Sequence, residues 1–292
     1  MKIIVCLKEA VDPALNIDFG LNNSVVFREG LPRRLNPPDA AALAMALNLA
    51  DAEITAVSIG EERVESYLMN ALAIGAAKAV RIWDDDFTEL SPYQKALLLS
   101  GLASASAADL VLTGSRSLDT ANGQVGLMLA ARLGWPCVCD VTGMETDTEQ
   151  NGIILIRDIG RGEREKVRCS LPAALTVKGS GKLPYASVDN LIDSKHKEIT
   201  LLSPADLAIS PEALKNASPC TARLTFPRPR TVKTPPLDSS LPAFDRILQL
   251  LQGGISKRKG RLLEGDAGQL AEQLFQLFLE ESVLKKAHHL SS

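Results

Sequence analysis

Up to Trp135, short apolar runs rich in β-branched residues alternate with longer segments whose apolar residues recur at helical spacing. That alternation constrains the fold more than any other feature of the chain. Lys2–Leu7, with Ile3, Ile4 and Val5 stopped by Lys8-Glu9, reads as a buried strand. Leu15–Phe19 and Ser24–Arg28, on either side of Gly20–Asn23, read as a hairpin. Asn36-Pro37-Pro38-Asp39 then opens a helix with Leu43, Leu47 and Ala50 on one face. Strands follow at Glu53–Ile59, Ala79–Trp83 and Asp109–Thr113. Helices follow from Gly60, from Ser91-Pro92 and after the polar loop at Gly114. The expected fold is α/β: a Rossmann-like parallel sheet with helices on both faces, continued by an extended C-terminal arm.

After Trp135 the pattern changes. Cys137–Met144, Gly152–Asp158 and Glu165–Cys169 read as strands joined by turns, with Gly160-Arg161-Gly162 a strong turn signal, and Ala173–Val177 as one more strand. Residues 1–202 are expected to form one α/β domain and 203–292 an arm with helices. Pro219–Pro242 is proline-rich, and amphipathic helices are expected at Leu241–Gln252 and Ala267–Leu284.

Charge excludes several functions. The chain has 32 basic and 35 acidic residues and only 4% aromatics, which gives neither a general electrostatic footprint for nucleic acid nor a set of base-stacking platforms. Cys6, Cys137, Cys139, Cys169 and Cys220 have irregular spacing and suggest no disulfide framework. His196, His288 and His289 are the only histidines, so a zinc site is not expected. The uncharged stretch Ala96–Ala108 is too short to span a bilayer, and the apolar run after Met1 is too short for a signal peptide. The expectation is a cytoplasmic protein without a membrane span.

The richest candidate for chemistry is Gly114-Ser115-Arg116-Ser117-Leu118-Asp119-Thr120-Ala121-Asn122-Gly123-Gln124-Val125-Gly126, between a strand end and a helix start. Ligands of open α/β sheets bind outside the carboxyl ends of strands. A helix N-terminus offers N–H groups to a phosphate, and Arg116 offers a charged contact. An ordinary turn-rich connection explains the same residues equally well. At Asn36-Pro37-Pro38-Asp39, a capped helix start with Pro37 at its first position and Asp39 in its first turn is the favoured explanation. Ser58-Ile59-Gly60 ends a third strand at the same edge. Cys6 and Lys8 lie near the end of the first, where Cys6 suits a small buried hydrophobe. The chain has neither GxSxG nor HExxH, and Glu61-Glu62 and Asp84–Asp86 suit solvated element ends.

Several short segments, in order, resemble the β (small) subunit of the electron-transfer flavoproteins. They are Val5-Cys6-Leu7-Lys8-Glu9-Ala10-Val11-Asp12, Leu35–Asp39, Ala56-Val57-Ser58-Ile59-Gly60, Ala71–Ala76, Asp109–Gly126, Leu133–Pro136, Leu171-Pro172-Ala173 and Tyr185–Asn190. Gly260–Asp266 resembles a tail motif of longer members. The resemblance implies an electron carrier rather than an enzyme: a heterodimer with an α subunit that carries redox-active FAD, passing electrons from a flavin-dependent dehydrogenase to an acceptor. It also implies an adenine nucleotide, FAD or AMP, in the β subunit, held by Cys6, Asn36–Asp39, Ile59 and Gly114–Val125. Gln124-Val125-Gly126 resembles the loop of flavin-binding members, which favours FAD, while Thr120-Ala121-Asn122 lacks their Gly-Asp-Thr run. The family's partner-recognition loop maps onto Gly179–Asn190, with Tyr185 and Val188 as partner-binding residues. Here Pro184 stands in place of an arginine and Asp189 in place of a proline.

Two other readings use the same fold: a stand-alone adenine-nucleotide module of the universal-stress type, and an adenylating or phosphate-cleaving enzyme. The long tail weighs against the first. The absence of a Ser-Gly-Gly-x-Asp-Ser loop weighs against the second.

Overall fold

The computed structural model describes residues 1–12, 31–87, 90–147, 152–179, 181–216, 240–251 and 263–280. The hairpin expected within residues 15–28, nearly all of the proline-rich stretch 219–242, and the ends of the two C-terminal helices expected at Gln252 and 281–284 lie outside these residues.

The chain runs β1 (Lys2–Cys6), β2 (Glu9–Val11), β3 (Arg33–Leu35), α1 (Pro37–Leu47), β4 (Glu53–Ile59), α2 (Glu65–Ala73), β5 (Lys78–Ile82), α3 (Pro92–Ala105), β6 (Leu110–Gly114) and α4 (Val125–Leu133). It continues through β7 (Cys137–Asp147), β8 (Gly152–Gly160), β9 (Glu163–Ser170), β10 (Ala173–Val177), α5 (Val188–Ser194), β11 (Ile199–Leu202) and α6 (Pro211–Asn216). The last two helices are α7 (Ala243–Leu251) and α8 (Ala267–Glu280). The chain divides into two units, Met1–Phe226 and Pro227–Ser292.

In the first unit a nine-stranded sheet has the order β11-β5-β4-β1-β6-β10-β7-β8-β9. From β11 to β7 every neighbouring pair is parallel, and β7, β8 and β9 pair antiparallel. Strand β10 enters between β6 and β7 although it follows β9 in sequence. Strand β11 adds to the far edge beside β5, with Ile199 opposite Ala79.

Alternation along the strands supplies two apolar faces. On one, Ile3, Val5, Leu110 and Leu112 pack with Ala42, Leu43 and Ala46 of α1 and Leu68 and Leu72 of α2. On the other, Ile4, Val57 and Val111 pack with Leu98 and Leu102 of α3 and Leu129 of α4. Leu207 and Ile209, beyond β11, are buried in this second cluster. Helix α3 begins with a full capping box: Ser91 Oγ accepts from Gln94 N, and Gln94 Oε1 accepts from Ser91 N.

The second unit contributes α7 and α8. Phe244 and Ile247 of α7 and Leu274 and Phe275 of α8 are exposed.

Candidate functional site

Strand β1 is the hinge of the topology. Chain order proceeds from β1 through β4 to β5 on one side, then crosses by α3 to β6 on the other. The crevice between β1 and β6 is therefore a topological switch point, where ligands of open α/β sheets bind. The carboxyl ends of β4, β1 and β6 bring Ile59, Cys6 and Gly114 to this edge. The N-termini of α1 and α4 rise beside them. Cys6 and Ile59 are both half-buried against the second apolar cluster.

The start of α1 is built differently from the sequence expectation. Asn36 occupies the N-cap position, but its side chain makes no cap hydrogen bond. It is 2% exposed and faces the β6–α4 loop instead. Asn36 Nδ2 donates to Arg116 O and to Asp39 Oδ1, both at 3.1 Å, and Asn36 Oδ1 accepts from Leu118 N at 3.2 Å. Pro37 at the first helical position has no N–H to satisfy, so the helix can start while Asn36 is engaged elsewhere.

Asp39 is buried beside it and ties the same elements together. Its Oδ2 accepts from Lys8 N at 2.8 Å and its Oδ1 from Gly114 N at 2.8 Å. Burial pushes the Asp39 carboxyl up to about 7, against the opposing effect of these hydrogen bonds and of the Lys8 charge. Burial, and next the Asp39 charge, hold the Cys6 thiol well above its ordinary range. Gly114 is required by close approach: a Cβ there would collide with Asp39 Oδ1 and lie 2.9 Å from Pro38 Cβ. Thus α1, β1 and β6 meet at a single carboxylate.

The rest of the loop spans the gap to α4. Ser115 N donates to Val177 O of β10 at 2.8 Å. Ser117 and Thr120 share a hydroxyl hydrogen bond of 2.9 Å. Lys8 Nζ reaches Asp119 Oδ1 at 2.6 Å across the cleft mouth, with both side chains partly exposed. Partial burial works against ionisation of Asp119, but hydrogen bonds from Lys8 and Ser117 and the Lys8 charge hold it below the usual carboxylate range. Arg116, Thr120, Ala121, Asn122 and Gln124 are exposed, while Gly123 turns the chain at φ +62°. Gln124 stands at the N-cap of α4 without a side-chain cap. The N–H groups of that helix start are left for an anion, and the chemistry of the loop fits a phosphate-bearing ligand.

The structure therefore brings Cys6, Asn36–Asp39, Ile59 and Gly114–Val125 to one edge of the sheet. Sequence reading missed the Lys8–Asp119 pair and the part played by Val177, both of which depend on contacts between distant segments. Tyr185 is fully exposed in the segment before α5, and Val188, the first residue of α5, is 71% exposed. Among the described residues no group of His, Cys, Asp and Glu is arranged to hold a metal, and no helix is long and apolar enough to cross a membrane.

The electron transfer flavoprotein domain model matches residues 24–207. The chain is 32% identical over 236 residues to subunit CarD of the caffeyl-CoA reductase–Etf complex of Acetobacterium woodii, covering 78% of this chain and 88% of that protein. This chain belongs to the electron-transfer-flavoprotein β-subunit family. The β subunit of Methylophilus methylotrophus is 30% identical, over 72% of this chain and 82% of its own. The β subunit of Bacillus subtilis is 28% identical over 97% of this chain and 99% of its own, so that likeness includes the C-terminal unit. As an electron-transfer-flavoprotein β subunit, the chain is an electron carrier component of a family associated with flavin and nucleotide binding and with an α-subunit partner.

Proposed function

We propose that the cleft edged by Cys6, Asn36–Asp39, Ile59 and Gly114–Val125 binds an adenine nucleotide, with FAD favoured over AMP, and that the chain forms a one-to-one heterodimer with a flavin-carrying α subunit. The observation that carries this reading is the Asn36–Asp39 pair. It holds the β6–α4 loop at the switch point while leaving the start of α4 uncapped. A phosphate fits at that helix start, where N–H groups and the helix dipole favour an anion. Exposed Arg116 supplies further positive charge, which suits a pyrophosphate better than a monophosphate. The bound nucleotide would add phosphate charge and an adenine to the cleft; Asn36, Asp39 and Lys8 shape the loop that receives it.

The apolar residues Phe244, Ile247, Leu274 and Phe275 of the C-terminal unit are suited to covering the α subunit. Tyr185 and Val188 are assigned to contact with a flavin-dependent dehydrogenase that donates electrons, because exposed apolar side chains make small anchors. The proposed site of action is the cytoplasm. Denaturing the purified heterodimer and separating the released nucleotides tests the central reading. Two FAD per heterodimer is expected. One FAD plus one AMP reverses the choice of nucleotide, and no adenine nucleotide beyond the α-subunit flavin overturns the site.

A further inference from the structure

We propose that Glu9, Arg63 and Glu61 form an ionic clasp that sets the width of the cleft on its β4 side. Resting on the nucleotide reading of the cleft, which assigns none of these three residues, the clasp makes Glu9 and Arg63 positioning residues for the nucleotide.

Strands β1 and β4 run side by side from Lys2 opposite Glu53 to Cys6 opposite Val57, and Leu7 N still donates to Val57 O at 2.7 Å. There the two chains part. The first passes through Lys8 into β2, and β4 runs on to Ile59 and the connection to α2. That connection is compact: a Cβ on Gly60 would come within 2.8 Å of Val64 Cγ1. The space between the parted chains is the side of the cleft that Ile59 lines. Backbone pairing between them has ended, and side chains take over the spacing.

Arg63 makes the connection. Its Nε donates to Glu9 Oε2 at 2.8 Å, and its Nη1 donates to Glu61 Oε2 at 2.9 Å. Arg33 Nη1 reaches the same Glu9 oxygen at 3.4 Å. A planar guanidinium presents its donors at fixed angles, so one side chain holds two carboxylates in a set relation. The Glu9 side chain is only 9% exposed, and removing the cation from a carboxylate so placed is strongly unfavourable. This pairing also anchors the β2–β3 ribbon. With three residues in each strand, the ribbon is too small to hold itself in place. Both of its ends open on the cleft. Lys8, just before it, donates its N–H to Asp39. Asn36, just after it, donates its own N–H to Lys8 O at 2.9 Å and grips the β6–α4 loop. The clasp thus fixes the end of β4 and the seats of Lys8 and Asn36 together.

The test is equilibrium dialysis of labelled ADP against the full chain in complex with its α subunit, after exchangeable nucleotide has been removed. Urea unfolding is run on the same preparations. ADP supplies the adenine and the pyrophosphate without a flavin. Glu9→Gln and Arg63→Gln are each expected to weaken ADP binding roughly three- to tenfold, and the double variant no more than the more damaging single, because both remove one shared bond. Glu53→Gln breaks the exposed Lys78–Glu53 pair at the opposite end of β4 and should leave ADP binding unchanged. Wild type that binds neither ADP nor AMP fails the nucleotide reading itself, and the clasp with it. Wild type that binds ADP no better than both single variants, losses that add in the double variant, or weakening only in proportion to unfolded protein would each overturn the clasp and leave the nucleotide site standing.

Discussion

The backbone N–H of Leu118 donates to Asn36 Oδ1 across 3.2 Å, joining the middle of the β6–α4 loop to the residue that begins α1. Asn36 Nδ2 grips the same loop at Arg116 O. A side chain at a helix start has thus been taken from its own helix and given to a segment about eighty positions away. Replacing it with alanine leaves Leu118 N and Arg116 O without this partner. Asn36→Ala is expected to cost about 2–3 kcal/mol in urea unfolding and to lower nucleotide content. Hydrogen exchange at Leu118 should rise by at least tenfold. Unchanged exchange would show that the loop holds itself.

Asp39 gives a pH dependence of definite sign. Its folded value of about 7 lies above the ordinary carboxylate value of 3.8. The folded chain therefore keeps a proton that the unfolded chain has lost. This contribution is fully present below about pH 4, declines as pH rises towards 7, and is flat above that. Compared with Asp39→Asn at each pH, wild type should lose relative stability between pH 5 and 7. A relative gain over that interval would mean that the fold prefers the ionised carboxylate.

Gly114→Ala should be among the most damaging small substitutions in the chain. The added methyl meets Asp39 and Pro38 at the junction of α1 and β6. Overpacking of this kind costs roughly 1–3 kcal/mol. The same variant should lose nucleotide, because the loop departs from that residue. Thermal melting and nucleotide analysis on one preparation check both outcomes.

Breaking the Lys8–Asp119 pair should have the opposite profile. Both side chains are partly exposed, at 33% and 24%, so solvent screening limits the pair to under about 1 kcal/mol of stability. Its position across the cleft mouth makes exchange kinetics the sensitive readout. Asp119→Asn is expected to speed nucleotide release several-fold with little change in melting temperature. A large stability loss with unchanged release would place the pair in the scaffold alone.

Val188 is 71% exposed, so Val188→Ala should change folding by less than about 0.5 kcal/mol. Electron transfer from the cognate dehydrogenase should slow several-fold, with nucleotide content unchanged. Loss of nucleotide or of folding would give the residue a structural role.

The parallel sheet was legible because its strands are compact apolar runs, as in Ile3-Ile4-Val5 and Leu110-Val111-Leu112, which alternate with segments of helical period up to Trp135. The helix start at Ser91-Pro92 was legible for the same local reason, and the structure adds Gln94 as the other half of its capping box. Asn36 shows where local reading stops. Its position at the head of α1 is evident from Pro37, but the destination of its side chain depends on a loop that arrives much later in the chain. Lys8 and Asp119 pair across a sequence separation of 111, which no spacing rule reaches. Strand β11, Ile199–Leu202, is only four residues long at a sheet edge, and so short an apolar run does not distinguish a strand from other structure. Val188–Asn190, expected within the recognition loop, instead begin α5, a helix of seven residues that buries only Ser194.

The insertion of β10 between β6 and β7 also sets the order in which this protein can be assembled during synthesis. Gly114 and Ser115 leave the ribosome long before Val177, whose carbonyl holds Ser115. The antiparallel excursion through β7, β8 and β9 must be made before β10 can take its central place. Pairing across such separations is slow, because the loop must close before the contacts reward it. A nascent chain stopped short of Val177 carries Ser115 without the carbonyl that holds it, so the proposed nucleotide site is complete only once Val177 has emerged.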